Sequence, residues 1–537
     1  MEANGGHLVA EALKRNGVDV IYTLSGGHIF PIYDGCVARD IRIVDVRHEQ
    51  TATFAAEAHG KLTGDVGVAV LTAGPGVTNG VSAITSAHFN GSPVLVLGGR
   101  APQGRWGSGS LQEMDHVPVV QSITKSAGTV FEADRCAVAV NAALHAARTP
   151  HRGPVFLDFP MDALFVTAEG EVPDPTQPET FAPNGDDLGR AVDLLGSAQR
   201  PVIVASTDIW LAKAHEKLRS FVEAQRIPVV LNGMGRGLLP ADHELVFARA
   251  RSTAFKGADV VLVIGTPLDF RLGFGNFGEA QVIHVQDHPD QISTHASPAV
   301  GVGGDLATTL DAFAGAPTKA IDARNEWLDV LRDDENARRE KERPELEDDT
   351  HPIHPARVYG VLRSKLDKDA VVIGDGGDFV SYAGKLVDVF EPGCWLDPGP
   401  FGCLGTGLGY AIAARVVHPG RQVVLMAGDG ALGFSGMDLD TLVRLSLPVV
   451  IVVGNNGIWG LEKHPMKAIY GYDVAADLNQ DARYEDILKA FGGAGETVEK
   501  ATELSDALDR GLASGVPYLV NVHTDPANAY PRSSNLA

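Results

Sequence analysis

With 537 residues, the chain is too long for one hydrophobic core, and the usual domain size suggests about three. Its formal net charge of −23 argues against a nucleic-acid binder, which needs a basic face, but leaves anionic small ligands open to glycine turns and helix N-termini. Hydrophobic residues make up 44% of the chain, yet no apolar run reaches the roughly 18 residues that span a bilayer.

The N-terminus, MEANGGHLVAEALKRNGV, reads as an amphipathic helix with no basic leader or cleavage site, so a cytoplasmic protein is expected. The four cysteines, Cys36, Cys136, Cys394 and Cys403, form no CxxC pair and read as reduced, buried thiols. Apolar strand-like runs then alternate with helical patterns: VGVAVLTAG, SPVLVLGG, PVIVAS, ADVVLVIG, DAVVIGDG, QVVLMAG and PVVIVVG. That alternation predicts an α/β fold of doubly wound parallel sheets with crossover helices. Three blocks follow from the composition shifts, at 1–170, 185–335 and 352–537. The linker VPDPTQPETFAPNGDD separates the first two. RDDENARREKERPELEDDTHP precedes the third and reads as a solvated helix or linker.

In the first block, YTLSGGHIF puts His28 after a tight Gly26-Gly27 turn; a lone His there is ordinarily a packed or capping residue. The strand IRIVDV leads through Arg47 and His48 to Glu49, which opens a helix and by itself reads as a first-turn carboxylate favoured by the helix dipole. In the third block, DPGPFGCLGTGLGY lacks the last glycine of GxGxxG, so a dinucleotide fingerprint is not met. Further on, Met437, Leu439, Leu442, Val443 and Leu445 have helical spacing, and Leu447 to Val453 is a β-branched run suited to a buried parallel strand. This segment is bracketed by Gly428-Asp429-Gly430 and by Asn455-Asn456. GDG alone could be a turn with Asp429 as N-cap. If the two flanking strands are neighbours, however, both brackets reach one sheet edge, where a carboxylate, an amide oxygen and a carbonyl suit Mg²⁺.

GDG, with Asn456 27 positions after Asp429 and a glycine next to it, resembles the signature of the thiamine diphosphate-dependent enzyme superfamily. The resemblance implies metal ligation by Asp429, the Asn456 side chain and the Ile458 carbonyl. It also implies a carboxylate from another block that hydrogen-bonds the aminopyrimidine ring. RHEQTA matches that activating Glu at Glu49, and TAGPGVTNG at 72–80 matches the next motif of the family. Leu404 falls where the family wedges an apolar residue beneath the cofactor. The resemblance further implies cofactor contacts at Gly26, Gly27, Pro75, Gly377, Asp378, Phe379, Gly402, Gly428, Gly430, Ala431 and Trp459. DGGDF at 375–379 departs from the usual diphosphate-contacting sequence by adding Asp378 near phosphate.

YTLSGGHIFPIYDG is similar to the active-site loop of benzaldehyde lyase and the 2-hydroxyacyl-CoA lyases, which implies a proton-shuttling role for His28. SLQEMD places Gln112 at a substrate-facing position of acetolactate synthases and benzaldehyde lyase, with Leu111 where the synthases carry an aromatic. Lys125 also matches the synthases, although a solvated Lys reads the same. The central block, GDGALGFSGMDLDT and the tail YPRSSNLA are similar to 2-hydroxyacyl-CoA lyases and oxalyl-CoA decarboxylases. The expected function is therefore a 2-hydroxyacyl-CoA lyase releasing formyl-CoA and an aldehyde or ketone, with acetolactate synthase as the alternative. CoA, ADP or FAD is the ligand to look for in the central block. Arg251, Arg271 and Arg532 are the candidates for CoA phosphates, since no basic cluster stands out. A nucleotide-binding protein that has lost its chemistry would be expected to have lost Glu49, Asp429 or Asn456, and all three are present. Glu49 and Asp429 lie in different blocks, which in the family come from different subunits. A homodimer or homotetramer with active sites at the subunit interface is therefore expected, with a small-molecule substrate and neither nucleic acid nor membrane as partner.

Overall fold

The structure, a computed structural model, describes residues 1–530. It contains three all-parallel sheets, each built on one of the alternating stretches, together with a small antiparallel pair between Glu2–Asn4 and Thr167–Glu169. The N-terminus thus begins as a short strand, and the expected helix starts at Gly5, capped by the Asn4 side chain, which accepts from the His7 N–H.

The first sheet comprises β1 (Val20–Thr23), β2 (Arg42–Asp45), β3 (Gly67–Leu71), β4 (Val94–Arg100), β5 (Ser126–Thr129) and β6 (Pro154–Pro160), in the order β2-β1-β3-β4-β6-β5. The second comprises β7 (Pro201–Ala205), β8 (Val229–Leu231), β9 (Val260–Ile264), β10 (Gln281–Gln286) and β11 (Val300–Gly303), in the order β8-β7-β9-β10-β11. The third comprises β12 (Val371–Asp375), β13 (Trp395–Leu396), β14 (Val423–Gly428), β15 (Val450–Asn455), β16 (Ala494–Val498) and β17 (Tyr518–His523), in the order β13-β12-β14-β15-β17-β16. The first and third sheets have the same order, strand for strand, although no repeat is legible in their residues. Central strands such as Val260–Ile264 are buried along their whole length, which is why they read as unbroken apolar runs.

By compactness the chain forms two units. One contains residues 1–179 with 398–419 and 434–447; the other contains the remaining described residues. In the first unit the helix Glu49–Thr63 packs along the helix Thr406–Val417. Gly409 makes this possible: a Cβ there would lie 2.8 Å from the Phe54 Cβ and 2.9 Å from the Thr51 carbonyl oxygen. Phe54 and Tyr410 meet edge to face. The buried Lys61 pairs with Glu57 at 3.1 Å and donates to the Tyr410 hydroxyl. The Glu49 helix is thereby fixed over most of its length.

Two expectations are corrected. The helical spacing from Met437 to Leu445 is met over Leu439–Arg444 only; Met437 is exposed in a 3-10 turn over Gly436–Asp438, which follows a separate helix over Asp429–Ser435. Gly436, a weak helix former, opens that turn. The charged segment before the third block is not simply solvated. It ends the long helix Ile321–Leu346, in which Glu335 and Glu342 are buried. Glu335 accepts the backbone N–H groups of Arg249 and Ala250 at the start of the helix Arg251–Gly257, and Glu342 pairs with Arg249 and Lys385. Three of the cysteines are buried and Cys403 is half-buried; none of the four is disulfide-bonded.

Candidate active site

In the third sheet the strand order reverses between β12 and β14, the place where open α/β sheets bind ligands beyond their carboxyl ends. β14 pairs with β15 in parallel register, Gly428 opposite Gly454, so the two brackets do share one edge. Gly376, at φ +127°, brings the turn after β12 to within 3.1 Å of the Gly428 N, measured from the position its Cβ would occupy.

Asp429 is buried there. Its Oδ1 accepts the Gly430 N–H at 3.0 Å and its Oδ2 the Gly457 N–H at 2.9 Å. Desolvation pushes its carboxyl up to about 6, because those two N–H groups offset only part of the burial. The adjacent asparagines divide the work. Asn455 donates its amide to the Gln480 and Ala482 carbonyls and so pins the following loop. Asn456, also buried, turns its Oδ1 back to the Ile458 N–H at 3.2 Å. The flanking backbone is engaged elsewhere: the Gly457 carbonyl accepts from Leu478, and the Trp459 N–H donates to Ala476. The Ile458 carbonyl takes no part in that bridge. A buried carboxylate, an amide oxygen and a carbonyl make a donor set for a hard cation. A Cβ on Gly428 would meet nothing within 4 Å, leaving space for an anionic group beside the carboxylate. The residues therefore fit a diphosphate with its divalent cation. Gly430 is required on packing grounds, since a Cβ would come within 2.5 Å of the Trp459 ring; Ala431 is buried just beyond it. Gly377 precedes the helix Asp378–Leu386, and Phe379 packs its ring over Gly454. The additional acid, Asp378, accepts the Tyr530 N–H at 2.8 Å and so holds the end of the described chain. Arg532 lies outside the described residues, as does the tail apart from Tyr530.

The first sheet reverses between β1 and β3, and there the structure gathers the candidates of the first block. His28 lies in the 3-10 turn Gly27–Ile29 after β1. Its Nδ1 is 3.2 Å from the Thr72 hydroxyl after β3, and its Cβ lies over Gly99 of β4. Gly26 abuts Thr72 too closely for any side chain, whereas Gly27 is open. Burial holds the His28 imidazole below the usual His range, so it is neutral near pH 7 and able to accept a proton. Gln112 adopts φ +60° and its backbone presses on Gly74; Leu111 beside it is 79% exposed. Pro75 opens the short helix Pro75–Asn79, at whose end Asn79 donates to Glu49 Oε2 at 3.0 Å.

Glu49 is buried at the first position of its helix, behind the His48 N-cap. The turn before it is clamped from the 434–447 segment. Asp438 accepts the Arg47 N–H at 2.7 Å, and Arg444 pairs with Asp45 at 2.9 Å. Gly402, at φ +70°, has open space around it, and Leu404 is half-buried, in contrast to the wholly buried Leu408 four residues on.

Sequence reasoning gave no role of their own to Thr72, Asn79 and Asp438, which lie in the quoted motifs but whose roles depend on partners far away in the chain. It also missed a basic cluster. Arg236, Arg249, Arg251 and Lys385 line a cavity of about 290 Å³ together with Ser381 and Tyr530. Arg236 is half-buried, its guanidinium over the Trp395 ring and its Nε without a partner. Arg251 donates to the Arg271 carbonyl, while the Arg271 guanidinium is taken by Asp269. The arginines of GMGRG and FARARS were the available signal. Lys125 donates to the Ala146 and Thr149 carbonyls at a helix end, a structural role.

Comparison with known proteins gives the family of the chain. Residues 3–119 match the family model for the thiamine pyrophosphate enzyme N-terminal TPP binding domain, 188–313 the central domain, and 375–522 the C-terminal TPP binding domain. The chain is 52% identical over 539 residues to an acetolactate synthase large subunit, IlvG, of Mycobacterium tuberculosis, covering 99% of this chain and 98% of that one. It is 34% identical to a 2-hydroxyacyl-CoA lyase 2 of Caenorhabditis elegans, over 95% and 87% of the two chains. It is 32% identical to an oxalyl-CoA decarboxylase of Escherichia coli, over 98% and 95%.

Proposed function

This chain belongs to the thiamine pyrophosphate enzymes, and from that premise we propose that it is a carboligase of the acetolactate synthase kind, condensing two 2-keto acids with loss of carbon dioxide. The observation that carries this reading is the 52% identity along nearly the whole chain to relatives named acetolactate synthase, against 34% and 32% for the lyase and the decarboxylase. It reverses the order of preference drawn from motifs alone. We take 1–170 as the pyrimidine-binding domain, 185–335 as the central domain and 352–537 as the diphosphate-binding domain.

When bound, thiamine diphosphate supplies the nucleophilic carbon and the positively charged ring that takes up the electron pair of the broken bond. Asp429, the Asn456 side chain and the Ile458 carbonyl would hold Mg²⁺, with the diphosphate against the glycines at 428 and 430. Leu404 would support the cofactor from below. Glu49, steadied by Asn79, would hydrogen-bond the aminopyrimidine ring. His28, neutral in its pocket, would take and return a substrate proton, and Gln112 would orient the substrate. Glu49 and Asp429 fall in separate compact units, in line with a homodimer or a homotetramer whose sites each draw on two subunits. If so, mixing a Glu49→Gln variant with an Asp429→Ala variant should recover activity that neither has alone. No described helix is long and apolar enough to cross a membrane. The four unbridged cysteines suit the cytoplasm.

A second reading, the 2-hydroxyacyl-CoA lyase, is favoured by the arginine-lined cavity, which could take the phosphates of an acyl-CoA, and by His28. One assay separates the two readings. Purified protein with thiamine diphosphate and Mg²⁺ is given pyruvate or a 2-hydroxyacyl-CoA. Acetolactate from the first supports the synthase; formyl-CoA from the second, with no acetolactate, overturns it. FAD released on denaturation would also favour the synthase. On either substrate His28→Ala should slow turnover by about 10²-fold, the low end for a lost proton shuttle. Release of the cofactor C2 proton, followed by hydrogen–deuterium exchange, should change far less. Equal losses in both would reduce His28 to a packing residue.

A further inference from the structure

We propose that His116 is a positioning residue, fixing the Thr72–Gly76 turn and, through it, the loop that presents Gln112. The inference rests on the reading of Gln112 as a substrate-orienting side chain. His116 is wholly buried, and its Nε2 accepts the Gly74 N–H at 2.9 Å. That nitrogen therefore carries no proton. The ring proton sits on Nδ1 and is donated to Asp158 Oδ2 at 2.8 Å. The same Asp158 oxygen, also wholly buried, accepts from Arg100 Nη1 at 3.1 Å, and Arg100 bonds Asp115, the neighbour of His116, at 2.9 Å. The imidazole thus joins the ends of β4 and β6 to the turn after β3.

That turn has an unusual backbone. Gly74 stands at φ 59°, ψ −113°, and a Cβ on it would lie 2.9 Å from the Gln112 Cβ and 3.0 Å from the Gln112 carbonyl oxygen. Gln112 is itself left-handed at φ +60°, a conformation that a non-glycine residue keeps only where its surroundings impose it. His116 imposes it from two directions, along the chain four residues away and across space through Gly74. The same turn leads into Pro75–Asn79, which ends on Glu49, so the imidazole underlies both candidate side chains without lining the site.

The test compares two substitutions of similar volume. His116→Gln keeps an oxygen able to accept the Gly74 N–H, and His116→Met does not. In the Met variant kcat/KM should fall about ten-fold or more, chiefly through KM, with the Gln variant within about three-fold of wild type. Amide exchange of peptides covering 72–76 and 110–114 should accelerate in the Met variant and stay slow in the Gln variant, with thiamine diphosphate affinity unchanged in both. Matching KM and matching exchange in the two variants would overturn the proposal. Should the Met variant fail to fold, His116→Asn takes its place, being too short to reach Gly74. If wild-type protein turns over neither substrate class, the functional reading fails, while the exchange comparison still decides the role of His116.

Discussion

Changing Glu49 to Gln should lower turnover by about 10²–10⁴-fold, the usual range for loss of a positioned acid–base group, while thiamine diphosphate still binds. The substitution keeps the side chain's shape and its oxygen for Asn79, so the buried start of the helix is not disturbed. It removes the negative charge, which is what a ring nitrogen needs in order to become protonated. A first-turn carboxylate serving only the helix dipole would behave differently: Gln would lower stability slightly and leave rates intact. The decisive measurement pairs a cofactor titration with the rate of C2 proton exchange. Intact binding with slow exchange supports the assignment, and a wild-type exchange rate removes Glu49 from the mechanism.

Changing Asp429 to Ala should abolish Mg²⁺-dependent retention of thiamine diphosphate on gel filtration. In the protein without cation, burial pushes this carboxyl up to about 6, and the Gly430 and Gly457 N–H groups offset only part of that. A divalent cation supplies the missing positive charge and pulls the group back towards ionisation. The sign follows for pH. Retention by the wild-type protein should weaken as pH falls through 6 and below, since protonation removes an anionic ligand, and higher Mg²⁺ should move that midpoint to lower pH. The apoprotein has the opposite slope. A carboxyl raised in the folded state favours folding most below its unfolded value near 3.8, and that contribution is lost as pH rises through about 6. An Asp429→Ala variant that still retains the cofactor with Mg²⁺ would dismiss the metal assignment.

Residue type and local spacing by themselves left the turns open, and the family resemblance proposed their chemistry. RHEQ after a strand, GDG after another and a paired asparagine after a third each lie within one strand–turn–helix unit, so a few adjacent residues are enough to carry that resemblance. The alternating apolar runs determined the parallel-sheet class, because a strand covered on both faces has to be apolar throughout. Only the tertiary structure decided which turns meet. β14 lies beside β15 and β1 beside β3 because of strand order, and strand order is set by long-range pairing that leaves no mark on a single strand. The same holds for Asn79 on Glu49, His116 on Gly74 and Asp438 on the Arg47 backbone, the last 391 residues apart. It holds again for Glu335 and Glu342, whose charged neighbourhood reads as solvated until the fold surrounds them with backbone N–H groups and Arg249. Burying a polar group is acceptable only when a partner arrives, and the partner comes from elsewhere in the chain.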